Sequence, residues 1–295
     1  MRVLIVGCGY TGLPLGAELV RLGHEVFGLR RSEPAGTVLR ASGIQPLCGD
    51  VTRPGTLAKL PRDFDWVVNC VAAGGGTAEH YRQIYLDGTK NLIDWLAPDP
   101  PKKFVYTSST SVYGQNDGSV VNESSPAQPL AETAKILVET EQMLQASATD
   151  RCFPAVILRV AGIYGPERGH WFRQFIQGTA QIEGDGARFL NMIHRDDLVG
   201  CLIAALEHGR PGEIYNAVDE DPVSQLHFFQ WLALVTKEPL PPFVPEPPGV
   251  NRRRGVTNKR VANHKLKTEL GYRFRFPTFR QGYEAELGRL GRSIQ

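Results

Sequence analysis

Near its amino terminus the sequence reads Val3-Leu4-Ile5-Val6-Gly7-Cys8-Gly9-Tyr10-Thr11-Gly12. The apolar run predicts a buried strand, and the Gly-x-Gly-x-x-Gly pattern predicts a tight turn that leads into a helix. In such a turn Gly7 permits the bend, Gly9 lets a phosphate approach the backbone, and Gly12 lets helix and strand pack closely. An ordinary glycine turn also fits the pattern. The strand before it and the helix after it favour a dinucleotide-binding unit.

The following residues alternate short apolar runs with segments of helical period, as in a parallel sheet covered by helices. This predicts an α/β fold with a Rossmann-type, doubly wound parallel sheet over residues 1–160. A smaller substrate-binding lobe over residues 161–295, interleaved with the last sheet elements, is predicted because glycine and proline become frequent there. The predicted strands are 3–6, 25–29, 44–47, 66–71, 104–107, 155–158 and 213–216, and the predicted helices are 13–22, 79–96, 130–145, 196–207 and 224–235.

The composition limits the class of protein. The chain has 295 residues, 42% of them hydrophobic, and a formal charge of +2, which gives no reason to expect nucleic acid or a membrane surface as partner. Five scattered cysteines lack metal-ligand spacing, so no metal site is predicted, and they indicate a reducing, cytoplasmic location. Residues 3–17 are uncharged like a signal peptide, but their glycines favour a strand, a turn and a helix.

The residues after the second and third predicted strands bear on the choice of dinucleotide. Arg30 and Arg31 stand where an NAD-binding fold usually carries an acidic residue, and two guanidinium groups suit a 2′-phosphate. We therefore expect NADP, with NAD as second choice; a solvated basic turn is the alternative. Asp50 follows the third strand, where it can accept from an adenine amino group or simply form a turn. The predicted cofactor-binding residues are Gly7, Gly9, Tyr10, Thr11, Gly12, Arg30, Arg31, Asp50, Val51 and Ala72.

Four later segments resemble the extended short-chain dehydrogenase/reductase superfamily, which holds the nucleotide-sugar epimerases and dehydratases. Residues 104–114 resemble its fifth strand and active-site serine loop, and residues 158–166 resemble the segment after its sixth strand. Residues 191–197 and 212–216 resemble parts of its late helix and substrate lobe. Because these marks run in family order, the resemblance implies a Rossmann fold and chemistry on the hydroxyl or carbonyl group of a small, sugar-like substrate.

In that superfamily a Ser, a Tyr and a Lys act together beside the nicotinamide. The resemblance places the Ser at Ser109 and the Lys at Lys135, where the Lys also holds the cofactor ribose. The Tyr is expected four residues before the Lys, but Ala131 stands there and cannot transfer a proton. The sequence is therefore similar to the atypical subgroup of the superfamily that lacks this Tyr. Lys135 as a surface lysine and Ser109 as a loop-closing residue are the alternatives.

Other groups are candidates because the resemblance places their segments near the site. Tyr85 and Tyr113 are candidate proton-transfer groups, with packing of their rings as the alternative. The candidate substrate-binding residues are Tyr164, His194 and Arg195. Two functions stay open at this point. One is an NADP-dependent oxidoreductase or epimerase, and the other is a non-catalytic NADP(H)-binding sensor or scaffold.

The expected partners are a small-molecule substrate and a second copy of the chain. The resemblance implies a homodimer through the predicted helices 79–96 and 130–145. Their apolar residues are Ile84, Leu92, Leu96, Leu137, Val138 and Leu144. The basic run 251–254 is either a site for a diphosphate or carboxylate or a solvated loop.

Overall fold

A seven-stranded parallel sheet forms the centre of the protein, whose computed structural model describes residues 1–31, 36–245 and 257–291. The sheet strands are β1 (Arg2–Val6), β2 (Glu25–Arg30), β3 (Gln45–Cys48), β4 (Trp66–Asn69), β5 (Lys103–Ser109), β7 (Ala155–Val160) and β12 (Ile214–Ala217). Shorter strands are β6 (Val120–Val121), β8 (Gly162–Tyr164), β9 (Ile182–Glu183), β10 (Phe189–Leu190), β11 (Met192–His194), β13 (Val223–Ser224), β14 (Phe243–Val244) and β15 (Arg260–Val261).

The strand order in the sheet is β12-β7-β5-β4-β1-β2-β3. The chain thus winds outward from β1 to one side and then returns to β4 and winds to the other side. All neighbouring pairs are parallel. The predicted doubly wound, Rossmann-type α/β fold is confirmed. In this topology the turns after β1 and β4 diverge and leave a crevice at the carboxyl ends of the strands.

Helices cover both faces of the sheet, which is why its strands are apolar at nearly every position. Val3 and Ile5 pack on one face with α1 (Gly12–Arg21) and α8 (Arg195–His208), whereas Leu4 and Val6 pack on the other with α5 (Gly88–Leu96) and α6 (Glu132–Asp150). The helices are α1 (Gly12–Arg21), α2 (Gly36–Ala41), α3 (Pro54–Leu57), α4 (Ala78–Tyr81), α5 (Gly88–Leu96), α6 (Glu132–Asp150), α7 (His170–Ile176), α8 (Arg195–His208), α9 (Gln225–Thr236), α10 (His264–Glu269) and α11 (Phe279–Arg289).

The predicted helix 79–96 is interrupted in the structure. A π-helical turn, Arg82–Asp87, lies between α4 and α5. The helical periodicity of the sequence did not predict this turn, which is bonded i→i+5 and is rare within α-helices.

The predicted lobe has its own apolar core, formed mainly by aromatic side chains of α7, α9 and α11. The chain nevertheless returns to the main sheet, because β12 pairs with β7 at the sheet edge. The described residues after position 160 thus form both a separate core and one strand of the main sheet. None of the helices within the described ranges is long and apolar enough to cross a membrane.

The apolar side chains that favoured a homodimer are used inside the chain. Ile84, Leu92, Leu96, Leu137 and Leu144 are all buried in this chain's own cores. The apolar faces therefore give no support for a subunit interface, and the homodimer stays a prediction. The basic run 251–254 lies outside the described residues.

Candidate functional site

A continuous cleft of about 1630 Å³ opens at the carboxyl ends of the central strands. We call the part lined by residues 6–11, 29–31 and 49–52 the turn end, since it is built from the turns after β1, β2 and β3. The lobe end is the part lined by Thr257, Lys259, Glu183 and residues of the segments 168–179 and 188–192. The turn end therefore lies in the crevice where a doubly wound fold binds its ligand.

The three glycines of the first turn meet different steric conditions. Gly7 has φ +82°, a region that favours glycine, and a Cβ there would lie 2.8 Å from the backbone of Val71. A Cβ on Gly12 would lie 2.8 Å from the carbonyl oxygen of Gly7, so this glycine lets α1 pack on the turn. A Cβ on Gly9 would meet only the Gly7 oxygen, at 4.0 Å. The space beside Gly9 is thus left open for a ligand.

Positive charge and the amino-terminal end of α1 meet at the turn end. No side-chain hydrogen bond from Thr11 caps α1. Leu13 donates its N–H to the carbonyl oxygen of Gly9 at 2.9 Å and Pro14 has no N–H, so what this helix presents to an anion is the positive end of its dipole. Arg30 ends β2 and Arg31 follows it, and both line the cleft. Burial raises the pKa of the Cys8 thiol to about 12, and the nearby charge of Arg30 opposes that rise. The arrangement suits a phosphorylated ligand.

Asp50 shapes the turn after β3 and also lines the cleft. Its carboxylate accepts hydrogen bonds from the backbone N–H of Thr52 at 2.9 Å and from the Thr52 hydroxyl at 2.8 Å. Val51 and Ala72 line the cleft beside it. The structure thus brings together the residues predicted from the turns, with Gly12 packed behind them.

Tyr10 connects the glycine turn to the second half of the chain. Its hydroxyl donates to the carbonyl oxygen of Pro166 at 2.9 Å. The guanidinium groups of Arg168 and Arg195 lie 4.9 and 5.6 Å from the centre of its ring. Burial raises the pKa of Tyr10 to about 12, so the phenol stays neutral and keeps donating.

The serine loop supplies hydroxyl groups to the middle of the cleft. Ser109, the last residue of β5, accepts a hydrogen bond from the backbone N–H of Ser111 at 3.2 Å and still lines the cleft. A hydroxyl that accepts such a bond can donate its proton to a bound oxygen. Ser108 instead donates to the buried carboxylate of Glu141 at 2.5 Å. Of these two serines, Ser109 is the one whose hydroxyl proton is not donated to Glu141, and its role toward a ligand stays a prediction.

Tyr85 reaches the cleft from the π-helical turn. Its hydroxyl accepts a hydrogen bond from the backbone N–H of Ala73 at 3.3 Å. Turns of this kind are rare in proteins overall, but those that occur often lie at functional sites. The ring of Tyr81, 5.1 Å away between centroids, lines the cleft as well. Tyr81 was not predicted from the sequence, although residues four apart on a helix lie on the same face and its spacing from Tyr85 indicated that the two are neighbours.

The prediction for Tyr113 is corrected, because this residue is buried beneath the cleft and does not line it. Its hydroxyl donates to the side-chain oxygen of Asn216 at 2.8 Å. The guanidinium of Arg159 lies 4.8 Å from the centre of its ring. Tyr113 therefore packs within the fold, where no substrate can take its proton.

The prediction for Lys135 is corrected as well. Residues 133, 134 and 137 form the side of α6 that lines the cleft, and the helical rotation carries Lys135 onto another side. Its ammonium lies 2.7 Å from the carboxylate of Glu132, and the Lys135 side chain is 49% exposed. Ala131 precedes the first residue of α6.

The three predicted substrate residues have mainly structural partners. Tyr164 lines the cleft, but its ring stacks on Tyr283 at 4.3 Å and burial holds the pKa of its phenol far above the usual range. His194 is buried, caps α8 by accepting from the Asp196 N–H at 3.1 Å, and has its pKa lowered to about 4 by burial. Arg195 binds the Asp196 carboxylate at 2.8 Å. Neither His194 nor Arg195 lines the cleft, so both predictions are corrected.

The charged residues of the lobe end were not predicted from the sequence. Four cations line it, and Glu183 is the one acidic residue among its described lining residues. The cations are Arg168, Arg173, Arg188 and Lys259. Arg168 and Arg173 are neighbours in the sequence, but Arg188 and Lys259 come from other segments, so no spacing in the sequence groups all four.

Comparison with known proteins agrees with this geometry. A family model described as the NAD dependent epimerase/dehydratase family matches residues 3–217, which include every strand of the main sheet. The chain belongs to this family. The resemblance stated from the sequence is thereby confirmed, and the turn end is the part of the cleft that corresponds to the nucleotide site of a Rossmann fold.

Individual members of the family and related structures extend the comparison. Protein YeeZ of Escherichia coli strain K12 is 28% identical over 287 residues, which cover 94% of this chain and 96% of YeeZ. The structure of a putative NAD-dependent epimerase/dehydratase from Methylobacillus flagellatus is 31% identical, with a TM-score of 0.76 and 98% of both chains covered. UDP-glucuronic acid 4-epimerase from Bacillus cereus, solved with UDP-glucuronic acid and NAD, shares the fold at 22% identity, with a TM-score of 0.83 and 99% of both chains covered.

Proposed function

We propose that this family member is an oxidoreductase or epimerase that prefers NADP(H) to NAD(H) and acts on a hydroxyl or carbonyl group of a small-molecule substrate. The observation that carries the proposal is the pair Arg30 and Arg31, which line the turn end beside the glycine turn. Two guanidinium groups bind a 2′-phosphate through charge-assisted hydrogen bonds. Residues 26–31 contain no carboxylate that would bind a ribose hydroxyl or repel that phosphate.

The residues at the turn end fit the nucleotide. The open space at Gly9 and the positive end of the α1 dipole suit the pyrophosphate, and Asp50 suits the adenine amino group. When bound, the nucleotide supplies the donor or acceptor of a hydride. The protein has to orient the substrate oxygen and handle its proton.

Tyr85 is our proposal for the proton-transfer group. Ala131 has no proton to exchange, and Tyr113 is buried away from the cleft. Tyr85 carries a phenol, lines the same cleft as Ser109, and has its hydroxyl held by the Ala73 N–H. Ser109 then orients the substrate oxygen while Tyr85 gives or takes the proton.

Binding measurements with NADPH and NADH test the proposal. We expect the protein to bind NADPH at least tenfold more tightly, since an extra ion pair with phosphate contributes about 1.4 kcal/mol or more. The double variant Arg30→Ala, Arg31→Ala is expected to lose this preference and keep its affinity for NADH within about twofold. Arg21→Ala, which removes an exposed arginine of α1, is the matched control. Equal affinity of the unaltered protein for both nucleotides contradicts the preference.

A non-catalytic NADP(H) sensor is the second candidate, favoured by Ala131 and by the outward position of Lys135. Consumption of NADPH in the presence of a panel of aldehydes and ketones separates the two. Tight nucleotide binding without turnover of any compound supports the sensor, whereas turnover supports the enzyme.

A further inference from the structure

Lys259 is the deeply buried cation of the lobe end. Lys259 is only 5% exposed, whereas Arg168 and Arg173 are exposed and Arg188 is half-buried. All four line the cleft. Exposed arginines interact with water whether or not a ligand is bound, but a buried ammonium has lost most of its hydration.

The partners of the Lys259 ammonium do not compensate for this loss. Its Nζ donates to the hydroxyl of Thr257 at 2.7 Å. No carboxylate in the described ranges forms an ion pair with it. Burial lowers the pKa of Lys259 to about 8, so the amine is still mostly protonated at neutral pH. A buried positive charge without a counter-charge is costly, and an anion at this place would offset that cost.

The backbone around Lys259 is held from two sides. The amide of Asn191 donates to the carbonyl oxygen of Lys259 at 2.9 Å and accepts from the N–H of Val261 at 2.8 Å. On the other side, the N–H of Arg260 donates to the carbonyl oxygen of Ser119 at 2.8 Å. The ammonium is thus presented from a fixed base, as a binding residue requires.

We propose that Lys259 is an anchor for a carboxylate or phosphate group of the substrate, with Thr257 beside it as a second contact. The inference deepens the proposed function and rests on it, because it assigns a negative charge to the substrate that lies at the lobe end. The anion supplies the counter-charge that the described residues lack. A neutral substrate group would leave the buried ammonium as poorly compensated as before.

Small anions test this without knowledge of the substrate. Sodium phosphate, sodium acetate and sodium chloride are compared at equal ionic strength, with NADPH saturating so that the turn end is filled. We expect phosphate or acetate to raise the Tm of the unaltered protein by about 2 °C or more relative to chloride. Lys259→Met is expected to abolish the rise, and Lys259→Arg to keep part of it. The anion with the larger effect distinguishes phosphate from carboxylate.

Lys103→Met is the matched control, because Lys103 is a partly buried lysine at the amino end of β5, away from the cleft. Its response to the anions is expected to equal that of the unaltered protein. If neither anion exceeds chloride, or if Lys259→Met responds like the unaltered protein, the anchor is refuted.

A second readout serves if Lys259→Met does not fold. Acylation of lysines by acetic anhydride, followed by peptide mass spectrometry, reports the accessibility and protonation of each amine in the unaltered protein. Phosphate or acetate is expected to slow acylation of Lys259 at least tenfold relative to chloride and to leave Lys103 unchanged. Equal rates in all three salts refute the anchor. Failure to bind NADPH in the same samples contradicts the proposed function instead, so the two failures are distinguishable.

Discussion

The two ends of the cleft are built on different principles. At the turn end, consecutive residues after neighbouring strands present backbone groups. Gly12 is required by its contact with Gly7, and Gly7 is required by its own positive φ and by the backbone of Val71 after the adjacent strand β4. At the lobe end, side chains from separate segments meet, and one of them, Lys259, is positioned by Asn191 from another part of the chain. Nucleotide binding thus depends on local backbone geometry, whereas substrate binding depends on tertiary contacts.

Ser108 lines the middle of the cleft, and Glu141 and Arg159 lie buried beneath it; we call these three residues the floor of the cleft. Damage to the floor is expected to affect both ends and is the strongest test of the comparison. Arg159 of β7 and Glu141 of α6 form an ion pair at 2.7 Å with side chains 5% and 3% exposed, and Ser108 donates to the same carboxylate. Arg159→Met leaves the Glu141 charge buried without its partner. We expect the free energy of unfolding in urea to fall by about 3–5 kcal/mol. Ligand binding at both ends is expected to fall together.

An exposed ion pair provides the control for this variant. Arg151→Met removes a contact of 3.5 Å with Asp94 on the surface and is expected to cost less than about 1 kcal/mol. Equal losses in Arg151→Met and Arg159→Met would show that the buried pair does not support the floor. Loss of binding at one end alone would show that the floor is not shared.

Gly9→Asp separates the ends, because it changes the turn end alone. The new Cβ fits within the chain, but the carboxylate would stand where the pyrophosphate approaches. We expect the Kd for NADPH to rise about a hundredfold, equivalent to roughly 3 kcal/mol, while the Tm without nucleotide changes little. The response of Lys259 to phosphate or acetate, measured by acylation, is expected to remain.

Gly288→Asp is the matched control, since a Cβ at this exposed position of α11 would meet nothing within 4 Å. It adds the same charge and is expected to leave the Kd for NADPH unchanged. An unaltered Kd in Gly9→Asp would mean that the nucleotide binds elsewhere.

Tyr85→Phe probes the junction between the ends and has the smallest expected effect. It keeps the ring and removes the hydroxyl, so we expect kcat to fall at least tenfold and the Kd for NADPH to stay within about twofold. The measurement uses the substrate that the NADPH-consumption screen identifies. Tyr113→Phe removes the buried phenol instead and is expected to leave kcat unchanged. The reverse result would reassign the proton transfer to Tyr113.

The sequence predicted those features that depend on local patterns. All seven strands of the main sheet were found, and the residues of the first three turns come together, because apolar runs and glycines act on their immediate neighbours. Spacing alone did not place Lys135, since the side of α6 that faces the cleft depends on how the helix docks. Lys259 had no local signal, because the hydrogen bonds that hold its segment in place come from the distant residues 119 and 191.

The position of β12 determines how the molecule comes apart. This strand is buried at all four positions and completes the hydrogen bonding of β7, although in the chain it lies between α7 and α9, two helices of the lobe core. A fragment that stopped at residue 160 would present β7 as a bare strand edge, which favours aggregation. The nucleotide-binding half therefore cannot be cut away as an independent module. A proteolytic cut that released β12 would destabilise the sheet of that half, although the cut itself would lie in the second half of the sequence.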